Sequence, residues 1–341
     1  MDRQITSKQL VRGAFESVDL PRLPFVPWVF THAARLEQIA VRDMYADPTR
    51  YSRCLQNTRK LYGYDAITGS FDPSLELEVC GSPIDWKGDF ETPVARPDPG
   101  FDFSHLKEID VESTGKTGRF GTVIESLRRI NMVSGKNTAL VAMVSGPLTV
   151  ASGLTGRNLV QDFMENSEQV VKIIEITSAY ILRIVQVYCQ LQLDIIAIAD
   201  RLLTNCPDAL LSQLQSFLSP VLNTIRFYNA FSVILPGDIT PSRLSDIIDI
   251  GFDAITADTM LVDDWQDIRG GRPCVLGQAI PSRLLLSGGE ELNDYLEDFL
   301  PENKETGVFL TTDWEVPRDT SPENFHLVMD MISRDQNAAS M

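Results

Sequence analysis

Asp65-Ala-Ile-Thr-Gly-Ser-Phe-Asp-Pro-Ser-Leu-Glu-Leu-Glu-Val-Cys-Gly81 opens as a short apolar run and ends on Ser70, Phe71 and Asp72. Pro73 breaks the run, and a Leu/Glu alternation follows. A buried parallel strand that delivers a carboxylate at its C-terminal end has this form. In a parallel α/β protein that end is where chemistry is done. The plainer reading is a strand end with a solvated or capping Asp, and the stretch alone does not separate the two.

The pattern recurs along the chain. Apolar runs at 28–30, 65–70, 137–144, 194–199, 229–235, 253–257, 273–276 and 307–310 read as eight strands. Helical spacing falls between most of them, at 7–20, 35–62, 121–134, 160–191, 210–224, 241–250, 289–300 and 321–333. Gly63 sits where a helix C-cap belongs, and Pro241 suits a first helical turn. The Pro-, Gly- and Asp-rich segment at 82–118 has no sustained period and reads as a hairpin or lid. The tail from Gln336 to Met341 is expected to fray. Eight strand–helix units predict an α/β fold, a single-domain (β/α)₈ TIM barrel over 1–341, with its core at about 18–335 and an irregular excursion after the second strand. No GxGxxG follows the first strand, and no GxxxxGK[ST] occurs. Polar residues stand at the strand ends: His32, Asp72, Ser145, Asp200, Asp238, Asp258, Gln278 and Asp313. Together they predict a site rim on one face.

With 341 residues, 43% of them hydrophobic, the chain can bury a large core. A formal charge of −17 argues against nucleic acid and anionic membrane as partners. The apolar region at 173–198 is interrupted by Glu175, Arg183, Gln186 and Asp194, so it reads as core and not as a membrane span. The N-terminal MDRQITSKQL lacks the apolar stretch of a signal peptide. Five scattered cysteines without a CxxC predict a reduced, cytoplasmic protein. The expected partner is a small-molecule substrate, and a homodimer stays open.

Four segments carry a resemblance. Tyr62-Gly-Tyr-Asp65 with FDPSLELEVCG (71–81), SGPLTVASGLTG (145–156), QLDIIAIAD (192–200) and VPRDTSPEN (316–324) resemble the uroporphyrinogen decarboxylase superfamily, in order and across nearly the whole chain. The Glu76/Glu78 pair and Ile198-Ala-Asp200 look closer to its cobalamin-linked methyltransferase branch. That branch holds zinc with His-x-Cys and a later Cys. Here the matching positions look like Ile234, Pro236 and Trp314, none of which can ligate. The resemblance therefore implies neither metal nor cofactor. In the decarboxylase branch, two arginines flank Gln-Ala-Gly. The corresponding segment is Thr31-His-Ala-Ala-Arg35, where Arg35 survives and His32 takes the Gln position. The aspartate that gathers pyrrole N–H groups lines up with Asp72, the family tyrosine falls on Gly153, and its histidine falls near Trp314. A tetrapyrrole site would miss the absent arginines, so haem synthesis is not expected.

These readings predict a metal-free lyase of the decarboxylase type acting on a small aromatic or heteroaromatic acid. His32 is the candidate proton donor, because its ordinary pKa suits transfer near neutrality. Asp72 is the candidate counter-charge to a protonated intermediate. Arg35 could anchor a carboxylate, while Asp200, Asp238 and Asp313 could add acid–base or hydrogen-bonding capacity. Trp314 supplies an aromatic wall. Two other readings remain: a non-catalytic small-molecule-binding barrel, and zinc-independent corrinoid-linked methyl transfer.

Overall fold

A computed structural model describes residues 5–258, 265–300 and 306–338. Ten strands form, in chain order: β1 (Phe25–Val26), β2 (Ala66–Thr68), β3 (Ile84–Asp85), β4 (Val94–Ala95), β5 (Ala139–Ser145), β6 (Ile195–Ala199), β7 (Phe231–Leu235), β8 (Ala254–Asp258), β9 (Val275–Ile280) and β10 (Val308–Thr312). Eight make one parallel sheet in the order β1-β10-β9-β8-β7-β6-β5-β2, nearly closed into a TIM barrel with helices outside. The other two, β3 and β4, form a small antiparallel hairpin inside the excursion.

The seam between β1 and β2 is closed mainly by Asp65, with Thr68 Oγ1 donating to the Pro27 carbonyl at 3.3 Å. Asp65 N–H donates to the Phe25 carbonyl at 2.8 Å, while the Asp65 carboxylate accepts from Phe25 N–H at 2.9 Å. Arg22 then grips both Asp65 oxygens at 2.8 Å. Asp65 is fully buried, and the bidentate arginine compensates its charge. The opposite, N-terminal end of the barrel is plugged. Helix Ser7–Phe15, with a Thr6/Gln9 capping box, stacks Phe15 on Phe231 at 4.5 Å and on Phe309 at 5.3 Å. Both partners lie at the starts of their strands, so only the C-terminal mouth is left for a ligand.

The expected strands and helices recur, with four corrections. The first strand is Phe25–Val26 and not 28–30. Pro24 and Pro27 bracket it; neither has an N–H to donate, so the ladder stays two residues long. The helical region 35–62 is three helices, Thr31–Leu36, Val41–Ala46 and Pro48–Tyr62. Asp47 caps the third, with its side chain accepting from Thr49 N–H, and Gly63 ends it at φ +82° as expected. The Leu/Glu alternation is a helical turn, Leu75–Val79. The seventh strand runs to Ile280, which puts Gln278 inside it, fully buried, and not on the rim. The side chain of Asp258 lies outside the described residues, as do the last three residues of the tail; the final helix reaches Ala338. Among the described residues no helix is long and apolar enough to cross a membrane.

Candidate active site

A cavity of about 320 Å³ opens at the C-terminal mouth. Phe71, Asp72 and Pro73 after β2 form one side, and Met143 and Ser145 at the end of β5 form the floor. Thr149 and Ser152 of helix Pro147–Thr155, Ala199, Arg201 and Leu202 around the end of β6, and Trp314 after β10 complete it. A larger surface groove of about 660 Å³ lies on the outer helices, away from the strand ends. Its Arg183 is already committed to the Ile109 and Leu106 carbonyls.

Asp72 is on the cavity wall, with its carboxylate fully engaged. Pro73 turns the chain so that Ser74 N–H and Ser74 Oγ donate to Asp72 Oδ1 at 2.9 and 2.7 Å, capping the turn Leu75–Val79. Tyr45 OH donates to Oδ2 at 2.9 Å, and the Arg119 guanidinium forms an ion pair with the same oxygen. Arg119 also reaches Glu78 at 2.7 Å and lies against the rings of Tyr45 (4.9 Å) and Trp86 (5.7 Å). The expected free counter-charge is thus already paired.

Four residues on, Glu76 is different. It is 2% exposed, and its Oε2 accepts from Ser145 Oγ at 2.9 Å. Burial pushes its carboxyl up to about 7, and neighbouring Asp72 adds to the rise. Ser145 lines the cavity, so a group that exchanges protons near neutrality reaches the cavity through one hydroxyl. Glu315 is also raised to about 7 by burial, but it is occupied by Thr31 N–H at 2.7 Å and Thr31 Oγ1 at 2.6 Å.

The other expected site residues divide. Trp314 is a cavity wall, edge-on to Phe71 at 5.0 Å and covered by the Arg201 guanidinium at 3.9 Å from its ring centre. Asp200 is buried and caps helix Pro147–Thr155 through Leu148 N–H (2.9 Å) and Thr149 Oγ1 (2.8 Å). Burial raises its carboxyl to about 6. Asp313, after β10, accepts from Ser282 N–H at 3.0 Å at the start of helix Ser282–Ser287, which follows β9. Arg35 pairs with Asp319 at 3.0 Å at the surface. Asp238 is exposed, and its backbone carbonyl accepts from Thr204 Oγ1.

His32 is not brought to the cavity. It belongs to helix Thr31–Leu36, 1% exposed, stacked on Phe325 at 5.4 Å. Nδ1 faces the Arg318 carbonyl at 3.0 Å and Nε2 faces Tyr62 OH at 2.8 Å. A carbonyl can only accept, so Nδ1 carries the proton and Nε2 accepts from the phenol. Burial lowers its pKa further from the range of a neutral-pH acid.

Sequence reasoning missed Arg119, Tyr45 and Arg201, and it used Glu76 only as part of a resemblance. Arg201 directly follows Asp200 after β6 and could have been read as a strand-end cation. Nothing local marks Arg119 or Tyr45.

The sequence profile described as Uroporphyrinogen decarboxylase (URO-D) matches residues 6–334. The chain belongs to the uroporphyrinogen decarboxylase family. The fold is close to that of a methyltransferase from Methanosarcina mazei, with a TM-score of 0.81, 18% identity, and coverage of 97% of this chain and 99% of that one. A curated relative, the methylcobamide:CoM methyltransferase MtbA of Methanosarcina mazei, is 23% identical over 159 residues. The match covers 45% of this chain and 46% of the relative, so the chain spans about half the length of the curated relative it matches.

The zinc implied by the methyltransferase branch does not fit these residues. Ile234 is buried in β7, Pro236 follows that strand, and Trp314 is the cavity wall. Among the described residues no group of three His, Cys, Asp or Glu could hold a metal ion. All five cysteines are buried, and burial raises every thiol. Where the decarboxylase branch has a tyrosine this chain has Gly153, and a Cβ there would stand 2.7 Å from Leu77 Cδ1, so that side chain would have to shift to admit one.

Proposed function

We propose that this family member is a carboxy-lyase acting on a small acid bound at the barrel mouth, with Glu76 as proton donor in place of His32. The observation that carries the reading is the 2.9 Å bond from the cavity hydroxyl Ser145 Oγ to buried Glu76. When Glu76 holds a proton that bond is reversed: its carboxyl donates to Ser145 Oγ as the hydroxyl passes its own proton to the substrate carbon that bears the carboxylate. The bond from that carbon to the carboxylate then breaks. Its electron pair returns to the substrate, carbon dioxide leaves, and water reprotonates Glu76. Phe71, Met143, Ala199 and Leu202 make the walls apolar. Apolar surroundings favour dispersing the carboxylate charge over keeping it. Arg201 at the mouth steers an anion past the negative surface.

The test is carbon dioxide release from a panel of aromatic and heteroaromatic acids. Glu76→Gln should lower turnover by about 10²–10⁴, the usual worth of a general acid, and the wild-type rate should fall as pH rises above about 7. Release unaffected by Glu76→Gln, or no release from any acid that binds, sinks the proposal. The similarity to MtbA favours a second reading, corrinoid-linked methyl transfer. Demethylation of methylcobalamin by this protein would favour that reading. Binding without either reaction would leave a small-molecule-binding barrel.

A further inference from the structure

Three features of the cavity bear on what enters it. The first is size. A dry cavity of about 150 Å³ takes a benzene ring, so about 320 Å³ holds one ring, or two fused rings with substituents. Four linked pyrroles do not fit. The second is charge. Arg201, the first residue of the 3₁₀ turn Arg201–Asn205, is exposed over Trp314. Unlike Arg22, Arg119 and Arg243, it has no carboxylate partner among the described residues. Stacking on the indole fixes the guanidinium plane and leaves its N–H edge for an anion.

The third is a vacant hydrogen bond. Of the hydroxyls on the cavity wall, Ser145 is committed to Glu76 and Thr149 to Asp200. Ser152 Oγ is buried without a partner, a state that costs free energy until something fills it. A ring hydroxyl or ring nitrogen would do so.

We infer that the cavity selects a planar one- or two-ring aromatic monoacid bearing a ring hydroxyl or ring nitrogen, its carboxylate on Arg201 and its ring polar group on Ser152. The inference rests on the site proposed above and names its substrate class. It agrees with the chemistry independently, since protonation at carbon needs an electron-rich ring.

Calorimetric titration with benzoate, 2-hydroxybenzoate, indole-3-carboxylate, phenol and a tetracarboxylate porphyrin tests it by binding alone. The hydroxylated and indole acids should bind, benzoate more weakly, and phenol and the porphyrin not measurably. Arg201→Gln should weaken the acids about 10–100-fold, as loss of a charge-assisted bond does. The side chain is exposed, so the fold should survive, and circular dichroism checks this. Ser152→Ala should remove the preference for 2-hydroxybenzoate over benzoate, about 3–10-fold. Equal binding of phenol and benzoate, binding of the porphyrin, affinity indifferent to Arg201→Gln, or no binding by any probe overturns the inference. Selective binding without carbon dioxide release would sink the lyase reading and leave this one standing. Release without selectivity would do the reverse.

Discussion

Asp72 and His32 were the two strongest residues in the sequence, and both owe their prominence to position along the chain. For Asp72, in the loop after β2, position was informative; for His32 it misled, because β1 ends at Val26 and the histidine lies inside helix Thr31–Leu36. Nor could position report that Tyr62, Phe325 and the Arg318 carbonyl converge on the imidazole. His32→Gln is therefore expected to lower stability by about 1–3 kcal/mol, the cost of leaving buried partners unsatisfied. Turnover per folded molecule should stay near wild type. Thermal midpoint and rate measured on one preparation decide the matter. An unchanged midpoint with a collapsed rate would return His32 to the chemistry. Glu76 was legible as a carboxylate beside a strand end. Its raised pKa was not, because burial is set by the fold, which brings Ser145 to its carboxyl and Tyr180, 104 residues away, to its backbone carbonyl at 2.8 Å.

At the scale of elements, the Asp72–Arg119 pair joins the loop after β2 to helix Gly118–Ser134. Trp86, just past β3, stacks on the same guanidinium and draws the excursion in. Removing one partner strands a buried charge, so Arg119→Met should cost about 3–5 kcal/mol. The double variant Asp72→Asn/Arg119→Met should lose less than the sum of the singles, because neither buried charge is left facing a missing partner and Glu78, a third exposed, keeps water. Urea denaturation of the three proteins measures the coupling, and strict additivity would refute it. Most strands were readable because each is an apolar run closed by a polar residue. The first strand was not, since prolines cut it to two residues and the more apolar Trp28-Val-Phe30 beside it drew the assignment. The helix breaks near residue 47 were hidden by continuous apolar spacing. Pro48 with a preceding Asp was the available signal.

For the whole molecule, three buried carboxyls set an unusual dependence on pH. Glu76 and Glu315 are raised to about 7 and Asp200 to about 6, in each case chiefly by burial. As pH rises from about 4 these groups ionise first in the unfolded chain, so the native state holds more protons and stability falls. The loss continues until the folded values near 7 are passed, then levels off. Buried His32, lowered by desolvation, acts in the opposite sense below its ordinary value of 6.5, one group against three; the exposed Asp85 and Asp319, lowered mainly by hydrogen bonds from Arg96 and Arg35, do so only below their ordinary value of 3.8. The thermal midpoint should therefore be higher at pH 5 than at pH 8. Glu76→Gln should flatten the decline by on the order of 3 kcal/mol. A midpoint that rises over that interval would contradict the assignment. The barrel itself was legible because its repeat is carried by many weak local signals. The cavity was not, because its walls come from segments between 71 and 314.

One consequence follows from the Asp65 seam. The cavity straddles it: Phe71 comes from the β2 side and Trp314 from the end of β10, the neighbour of β1. A guest that wedges those two rings apart pushes on a joint held by one backbone bond, the Asp65 carboxylate and the Thr68 hydroxyl on the Pro27 carbonyl. The Arg22–Asp65 pair acts as a spring at the start of that joint, opposite the mouth, and resists the spreading of the two strands. Tightening that spring would make the mouth stiffer and more selective, whereas loosening it would let larger guests enter and weaken the molecule.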